Sequence, residues 1–178
     1  MTIHIGQAYA MPLATILKTI VGSGVAVCLF DPVARVGGMS HFMLPAGDAE
    51  TEWSRLGIDA MDLLMGGMQK AGGDSRRLEA KLLGGSYVSR SQGDGDGIPE
   101  RNVRFIEEYV MSAGITVASR DFGGYLPRRV RFQTDTGKTF VKRLGPHMLR
   151  QTRAEEREHL LALAQGRAGG GRPMVLRT

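Results

Sequence analysis

His41 and Cys28 are the side chains of this sequence with the most obvious capacity for chemistry. An imidazole can take and return a proton near neutral pH, and a cysteine can act as a nucleophile once it is ionised. Both residues lie inside apolar runs, at 39–45 and 25–30. In such runs a lone histidine is usually a hydrogen-bonded core residue, and a cysteine is usually an inert small hydrophobe. Position alone therefore favours structural roles for both.

Two glycine-containing patterns resemble ligand-binding loops but fail on detail. Gly22 and Gly24 follow an apolar run, as in a dinucleotide-binding loop, yet the third glycine of that fingerprint is replaced by Val27 and no helical pattern follows. Residues 94–97 resemble the start of a calcium loop, but the twelfth position is Phe105, where a glutamate is required. Neither loop is expected to bind a ligand.

The elements that would position these residues follow from hydrophobic periodicity and breakers. Short apolar runs predict strands, and apolar residues spaced by three and four predict helices. Strands are predicted at 15–21, 25–30, 37–44, 115–119, 129–134 and 139–144, and helices at 50–70 and around 103–113. Residues 77–83 are ambiguous, although the following glycine pair favours a strand. Asp48 is the predicted N-cap of the first helix, and Gly114 is the predicted stop of the second.

The character of the sequence changes after Pro146. Thr152 and Glu155 form a capping-box pattern, which predicts a short helix over 153–165 that stops at Gly166. The glycine-rich residues 166–178 are predicted to be a loose tail.

Composition narrows the function classes. The chain has 178 residues, of which 42% are apolar and 23% charged, as expected for one globular domain. Its apolar stretches reach only about ten residues against the ~20 of a membrane span, so no membrane insertion is expected. A single cysteine and no apparent secretory signal favour a cytoplasmic protein. The net charge of +5 permits a nucleic-acid-binding module, but the basic residues are not interleaved with aromatics, and a solvated or docking face is favoured.

Residues 22–45, GSGVAVCLFDPVARVGGMSHFMLP, resemble the signature of the chemoreceptor glutamine deamidase CheD family. The resemblance continues in order through 79–85, 99–103 and 121–124, and then through Arg128 and the 136–137 turn. It covers residues 1–145, which we interpret as a CheD-like domain followed by an extension at 146–178. The fold it implies is α+β, with a mixed, largely antiparallel β core and helices packed outside.

The resemblance also implies a cysteine hydrolase that converts receptor glutamines to glutamates without a metal or organic cofactor. Its general base matches His41, and the threonine that orients this base is best matched by Thr19. The nucleophilic cysteine of the family falls on position 24. The partners implied are methyl-accepting chemoreceptors and a CheC-type phosphatase.

Position 24 departs from the family because it is occupied by glycine. Glycine has no side chain to form an acyl-enzyme, so this chain is expected to be inactive. Cys28 is a poor substitute, since it lies about 13 Å further along a strand. The alternative function is a non-catalytic adaptor that binds chemoreceptors or the phosphatase.

Overall fold

The computed structural model describes residues 1–45, 50–89 and 97–166, with the backbone alone described over 50–53. The described strands are β1 (Gln7–Met11), β2 (Ile16–Val21), β3 (Val25–Asp31), β4 (Val36–Phe42), β5 (Glu79–Gly84), β6 (Thr116–Phe122), β7 (Arg128–Gln133) and β8 (Thr139–Arg143). The described helices are α1 (Glu50–Lys70), α2 (Ile98–Ser112) and α3 (His147–Ala164). The predicted α+β class is confirmed.

Two sheets form the centre of the molecule. The larger has the order β1-β4-β3-β5-β6, and its neighbouring strands are antiparallel except for the parallel pair β5–β6. The smaller is the antiparallel sheet β2-β7-β8. An apolar cluster with members from β2, β3, β4, β5 and β7 lies between the sheets, and a second cluster joins the larger sheet to α1 and α2. The fold is therefore a stack of sheet, sheet and helices.

Strand β3 is buried on both faces, which explains why its sequence is continuously apolar rather than alternating. Val25, Val27 and Leu29 belong to the cluster shared with the helices, whereas Ala26 and Cys28 belong to the cluster between the sheets. The strand predicted at 25–30 is confirmed.

Most of the other predicted elements are also present. The ambiguous segment at 77–83 gives β5, and α2 is followed by Gly114 with φ +66°, the left-handed stop that glycine favours. Strand β1 was not predicted. Its residues are all half-buried, so it lacks the alternation of buried and exposed side chains by which a strand is recognised. It pairs with β4 at the edge of the larger sheet.

The predicted start of the C-terminal helix was wrong. Helix α3 begins at His147 rather than at 153, with Pro146 as its N-cap residue. Thr152 lies inside the helix, and its Oγ1 donates to the Met148 carbonyl instead of capping. The predicted stop at Gly166 is confirmed by a φ of +66°. The proposed cap Asp48, the loop at 94–97 apart from its last residue and the tail at 167–178 lie outside the described residues.

Candidate active site

Thr19 and His41 come from different sheets and meet in the space between them. Thr19 lies on β2 and His41 on β4, and each side chain is about 3% exposed. The Thr19 Oγ1 is 2.9 Å from the His41 Nδ1, a hydrogen-bond distance. The structure thus brings together the two residues that the family resemblance matched to the orienting group and the base.

Burial makes the His41 ring a neutral imidazole at ordinary pH. Desolvation, with smaller contributions from the nearby His159 and His4, lowers its pKa to about 3. Donor and acceptor in the Thr19–His41 bond depend on the tautomer. If the Nδ1 carries the proton and donates to Thr19, the Nε2 is free to accept a proton from a nucleophile.

Position 24 lies beside His41 but leaves no room for a side chain. Gly24 directly precedes β3, whose Ala26 pairs with His41 of β4. A Cβ added to Gly24 would lie 2.5 Å from the Phe42 carbonyl oxygen and 3.0 Å from the Met43 Cβ. The φ of Gly24 is outside the left-handed region, so the obstacle is this close approach of backbone rather than the torsion angle.

Cys28 lies deep in the core of the molecule. It pairs with Met39 and Lys81 in the centre of the larger sheet, with its side chain in the cluster between the sheets. Burial raises the pKa of its thiol to about 12, despite the opposing effect of Lys81. The thiol is therefore un-ionised and enclosed, as expected for an inert core cysteine.

A cavity of about 440 Å³ opens beside the Thr19–His41 pair. One wall is the N-terminal segment at residues 2–5, and another is α3, which contributes Glu155 and His159. Gly24 is buried and is not among the lining residues. The predicted base therefore lines a cavity, whereas position 24 does not.

Helix α3 also covers the segment that precedes position 24. The Glu156 carboxylate accepts hydrogen bonds from the Ser23 amide at 2.6 Å and from the Ser23 hydroxyl at 2.7 Å. Burial raises the pKa of Glu156, and the two Ser23 hydrogen bonds partly offset this effect. His159, one turn later, is hydrogen-bonded to the Met43 backbone.

The contact between this helix and Ser23 was not predicted from the sequence. Thr152, Glu156 and His159 are spaced by four and three, so they share one face. Because that face is polar, hydrophobic periodicity cannot distinguish it from a solvent-exposed surface. The spacing identifies the face only when the segment that it covers is known.

A model of the family described as CheD chemotactic sensory transduction matches residues 43–143. The chain belongs to the CheD family. A probable chemoreceptor glutamine deamidase CheD of Bordetella petrii is 42% identical over 134 residues, which are 74% of this chain and 60% of the relative. That of Burkholderia vietnamiensis is 40% identical over 162 residues, 88% of this chain and 64% of the relative. A second Burkholderia CheD, CheD 2 of B. thailandensis, is 45% identical over 132 residues, 72% and 67% of the two chains.

The similarity to one of these relatives extends into the C-terminal part of the chain. The chain spans 60–64% of the length of the first two relatives. The match to the Burkholderia vietnamiensis protein is too long to fit within residues 1–145, so part of it lies in the extension that contains α3.

Residues 1–45, 50–89 and 97–166 contain neither a metal-binding cluster nor a membrane-spanning helix. No cluster of three or more His, Cys, Asp or Glu side chains is arranged there to hold a metal ion. None of the helices in those ranges combines the length and the apolar character needed to cross a bilayer.

Proposed function

We propose that this chain carries a CheD-type glutamine deamidase site that binds chemoreceptor glutamines and lacks the nucleophile to convert them. The observation that supports this most is the 2.9 Å contact between Thr19 and His41. A buried histidine oriented by a hydroxyl is the base arrangement that a cysteine hydrolase needs. Gly24 supplies no thiol to it.

In a complete site of this kind, a thiolate attacks the carboxamide carbon of a glutamine side chain. The imidazole, having taken the thiol proton, returns it to the departing ammonia, and a thioester remains. Water then hydrolyses the thioester to a glutamate and regenerates the thiol. In this chain the base is in place and the first bond cannot form at Gly24.

The adaptor is the second candidate, and two observations favour it. The Phe42 carbonyl occupies the space that a Cβ at position 24 would need. The donors of Ser23, next to that position, are already paired with Glu156. Both features fit a chain that binds receptors without turning them over.

The proposal extends to partners and setting. It places the chain in the cytoplasm with methyl-accepting chemoreceptors, and it includes a CheC-type phosphatase as a second partner. It requires no metal or organic cofactor.

Binding is the first test. The cytoplasmic fragment of a chemoreceptor from the same organism is titrated with the chain by isothermal titration calorimetry. We expect saturable binding that weakens when the receptor glutamines are replaced by alanine. Absence of binding to every chemoreceptor of that organism would contradict the deamidase site and would leave only an adaptor that binds the phosphatase.

A further inference from the structure

The segment Gly22–Ser23–Gly24 is hydrogen-bonded to the end of β5 on one side and to the Glu156 carboxylate of α3 on the other. The carbonyls of Gly22 and Gly24 accept hydrogen bonds from the Ser86 and Gly85 amides, each at 2.8 Å. These bonds tie the segment to the end of β5. The Ser23 amide and hydroxyl remain for a ligand, and both donate to Glu156.

Glycine at position 22 allows α3 to approach this segment closely. A Cβ there would collide with the Glu156 Oε1 and would lie 2.8 Å from the Thr152 Cγ2. Glu156 is only 7% exposed, and its two oxygens are held by neutral donors. Burying a carboxylate in this way is unfavourable unless its acceptors are well paired, so the Ser23 donors act as a fitted carboxyl-binding site.

Ser23 can form hydrogen bonds with both the carboxamide substrate and the carboxylate product of a glutamine deamidation. Its amide can donate to the oxygen that carboxamides and carboxylates share. Its hydroxyl can accept from a carboxamide NH₂ or donate to a carboxylate oxygen. A glutamate held here, one residue before position 24, has the form of the reaction product.

We propose that Ser23 receives the side-chain carboxamide or carboxylate of a partner helix, and that α3 occupies this subsite with Glu156 as an internal product mimic. This inference rests on the proposed function for the identity of the partner helix. A receptor helix then has to displace α3 before it can bind. The C-terminal helix thereby sets the apparent affinity of the site.

The way in which α3 is attached fits such a displacement. Neither of the two apolar clusters of the described residues draws a member from α3. Its buried side chains are Thr152 and Glu156, and its contacts to Ser23, Met43 and Val88 are hydrogen bonds. The helix therefore shares no apolar cluster with the sheets, and its buried carboxylate makes polar contacts that a second helix with a similar side chain can replace.

The test uses the full chain and a fluorescent peptide with the sequence of residues 147–164. In the native chain the subsite is occupied in cis, so the peptide should bind weakly. Glu156→Ala should release α3 and tighten peptide binding at least tenfold, because the competent state becomes the dominant one. Arg157→Ala is the control: this neighbouring side chain is exposed and does not line the cavity, and binding should stay within twofold of native.

Specificity for Ser23 is tested in the opened chain. Ser23→Ala combined with Glu156→Ala should lose most of the gained affinity, and a peptide that itself carries Glu156→Ala should not bind. Hydrogen exchange of the Ser23 amide in the full chain is a second readout, and it should speed up at least tenfold in Glu156→Ala and stay unchanged in Arg157→Ala.

Two results would overturn the inference. One is equal peptide binding by the native, Glu156→Ala and Arg157→Ala chains together with unchanged exchange at Ser23. The other is full binding by the double variant. A receptor fragment that binds the chain should also displace the peptide. If the peptide arm succeeds and no receptor fragment displaces it, the proposed function and the substrate role of Ser23 fail, while the docking of α3 stands.

Discussion

The Thr19 Oγ1 lies 2.9 Å from the Nδ1 of His41, across the gap between two separate sheets. The contact joins β2 to β4 and fixes the imidazole ring in the buried space between them. Because the pairing links residues 22 positions apart on different sheets, it orients the ring only when both sheets are assembled. The geometry of the predicted base is thus a property of the complete fold.

The tautomer of His41 gives the first prediction. For the ring to serve as a base, the Nδ1 must carry the proton and donate to Thr19, leaving the Nε2 unprotonated. Nitrogen-15 NMR of the imidazole at pH 7 should detect the Nδ1–H form. Thr19→Val should disturb this tautomer and lower the free energy of unfolding by about 1–3 kcal/mol, because it leaves a buried ring nitrogen unpaired. A dominant Nε2–H tautomer in the native chain would contradict the assigned role.

The depressed pKa of His41 predicts how stability depends on pH. The folded-state pKa is about 3, against about 6.5 in the unfolded chain. Below pH 6.5 the unfolded state therefore binds the extra proton, so the contribution of His41 to stability is complete above that pH and is lost as the pH falls towards 3.

The measurement compares urea unfolding of the native chain with that of His41→Gln between pH 7 and pH 4. The native chain should lose more stability than the variant over this range, since the carboxylates common to both cancel in the comparison. Parallel losses would show that His41 titrates normally.

The tight surroundings of Gly24 predict that restoring a side chain destabilises the fold. A Cβ would lie 2.5 Å from the Phe42 carbonyl oxygen, so the β3–β4 backbone has to shift. Gly24→Ala and Gly24→Cys should each lower the free energy of unfolding by about 1–3 kcal/mol, the usual range for overpacking. Equal decreases in the free energy of unfolding for the two variants would identify the added Cβ as the cause. Unchanged stability in Gly24→Ala would show that the space beside position 24 can hold a side chain.

The C-terminal extension is predicted to be dispensable for the core. Both apolar clusters are built without α3, so a chain truncated after Leu144 should still unfold in one cooperative transition. Circular dichroism during thermal unfolding tests this. An insoluble product, or a broad non-cooperative transition, would show that α3 completes the fold and that a boundary at residue 145 is misplaced.

The elements predicted correctly from the sequence are those whose structure depends on nearby residues. The continuous apolar run at 25–30 predicted β3 because burial on both faces demands it, and Gly114 predicted the end of α2 because only a left-handed residue stops the helix there. The family resemblance supplied Thr19 and His41, which periodicity alone could not have joined across two sheets.

The rest depended on long-range contacts that leave little trace in the sequence. Glu156 and Ser23 are 133 residues apart, and the helix face that carries Glu156 is polar. The start of α3 was placed too late because Thr152 and Glu155 imitate a capping box inside the helix. The close approach of the Phe42 carbonyl to Gly24 is likewise set by strand pairing.

The most direct test of the account is mass spectrometry of a chemoreceptor fragment incubated with the native chain and with Gly24→Cys. Conversion of a glutamine to a glutamate changes the mass of the peptide that contains it, so each modified site can be identified. Losing the nucleophile of a catalytic unit typically lowers the rate by a factor of about 10⁴–10⁶. We expect no conversion by the native chain or by Gly24→Ala, and conversion by Gly24→Cys that is lost again when His41→Gln is added. Deamidation by the native chain would contradict the claim that Gly24 abolishes turnover, and failure of a folded, receptor-bound Gly24→Cys chain to convert any glutamine would contradict a latent deamidase site.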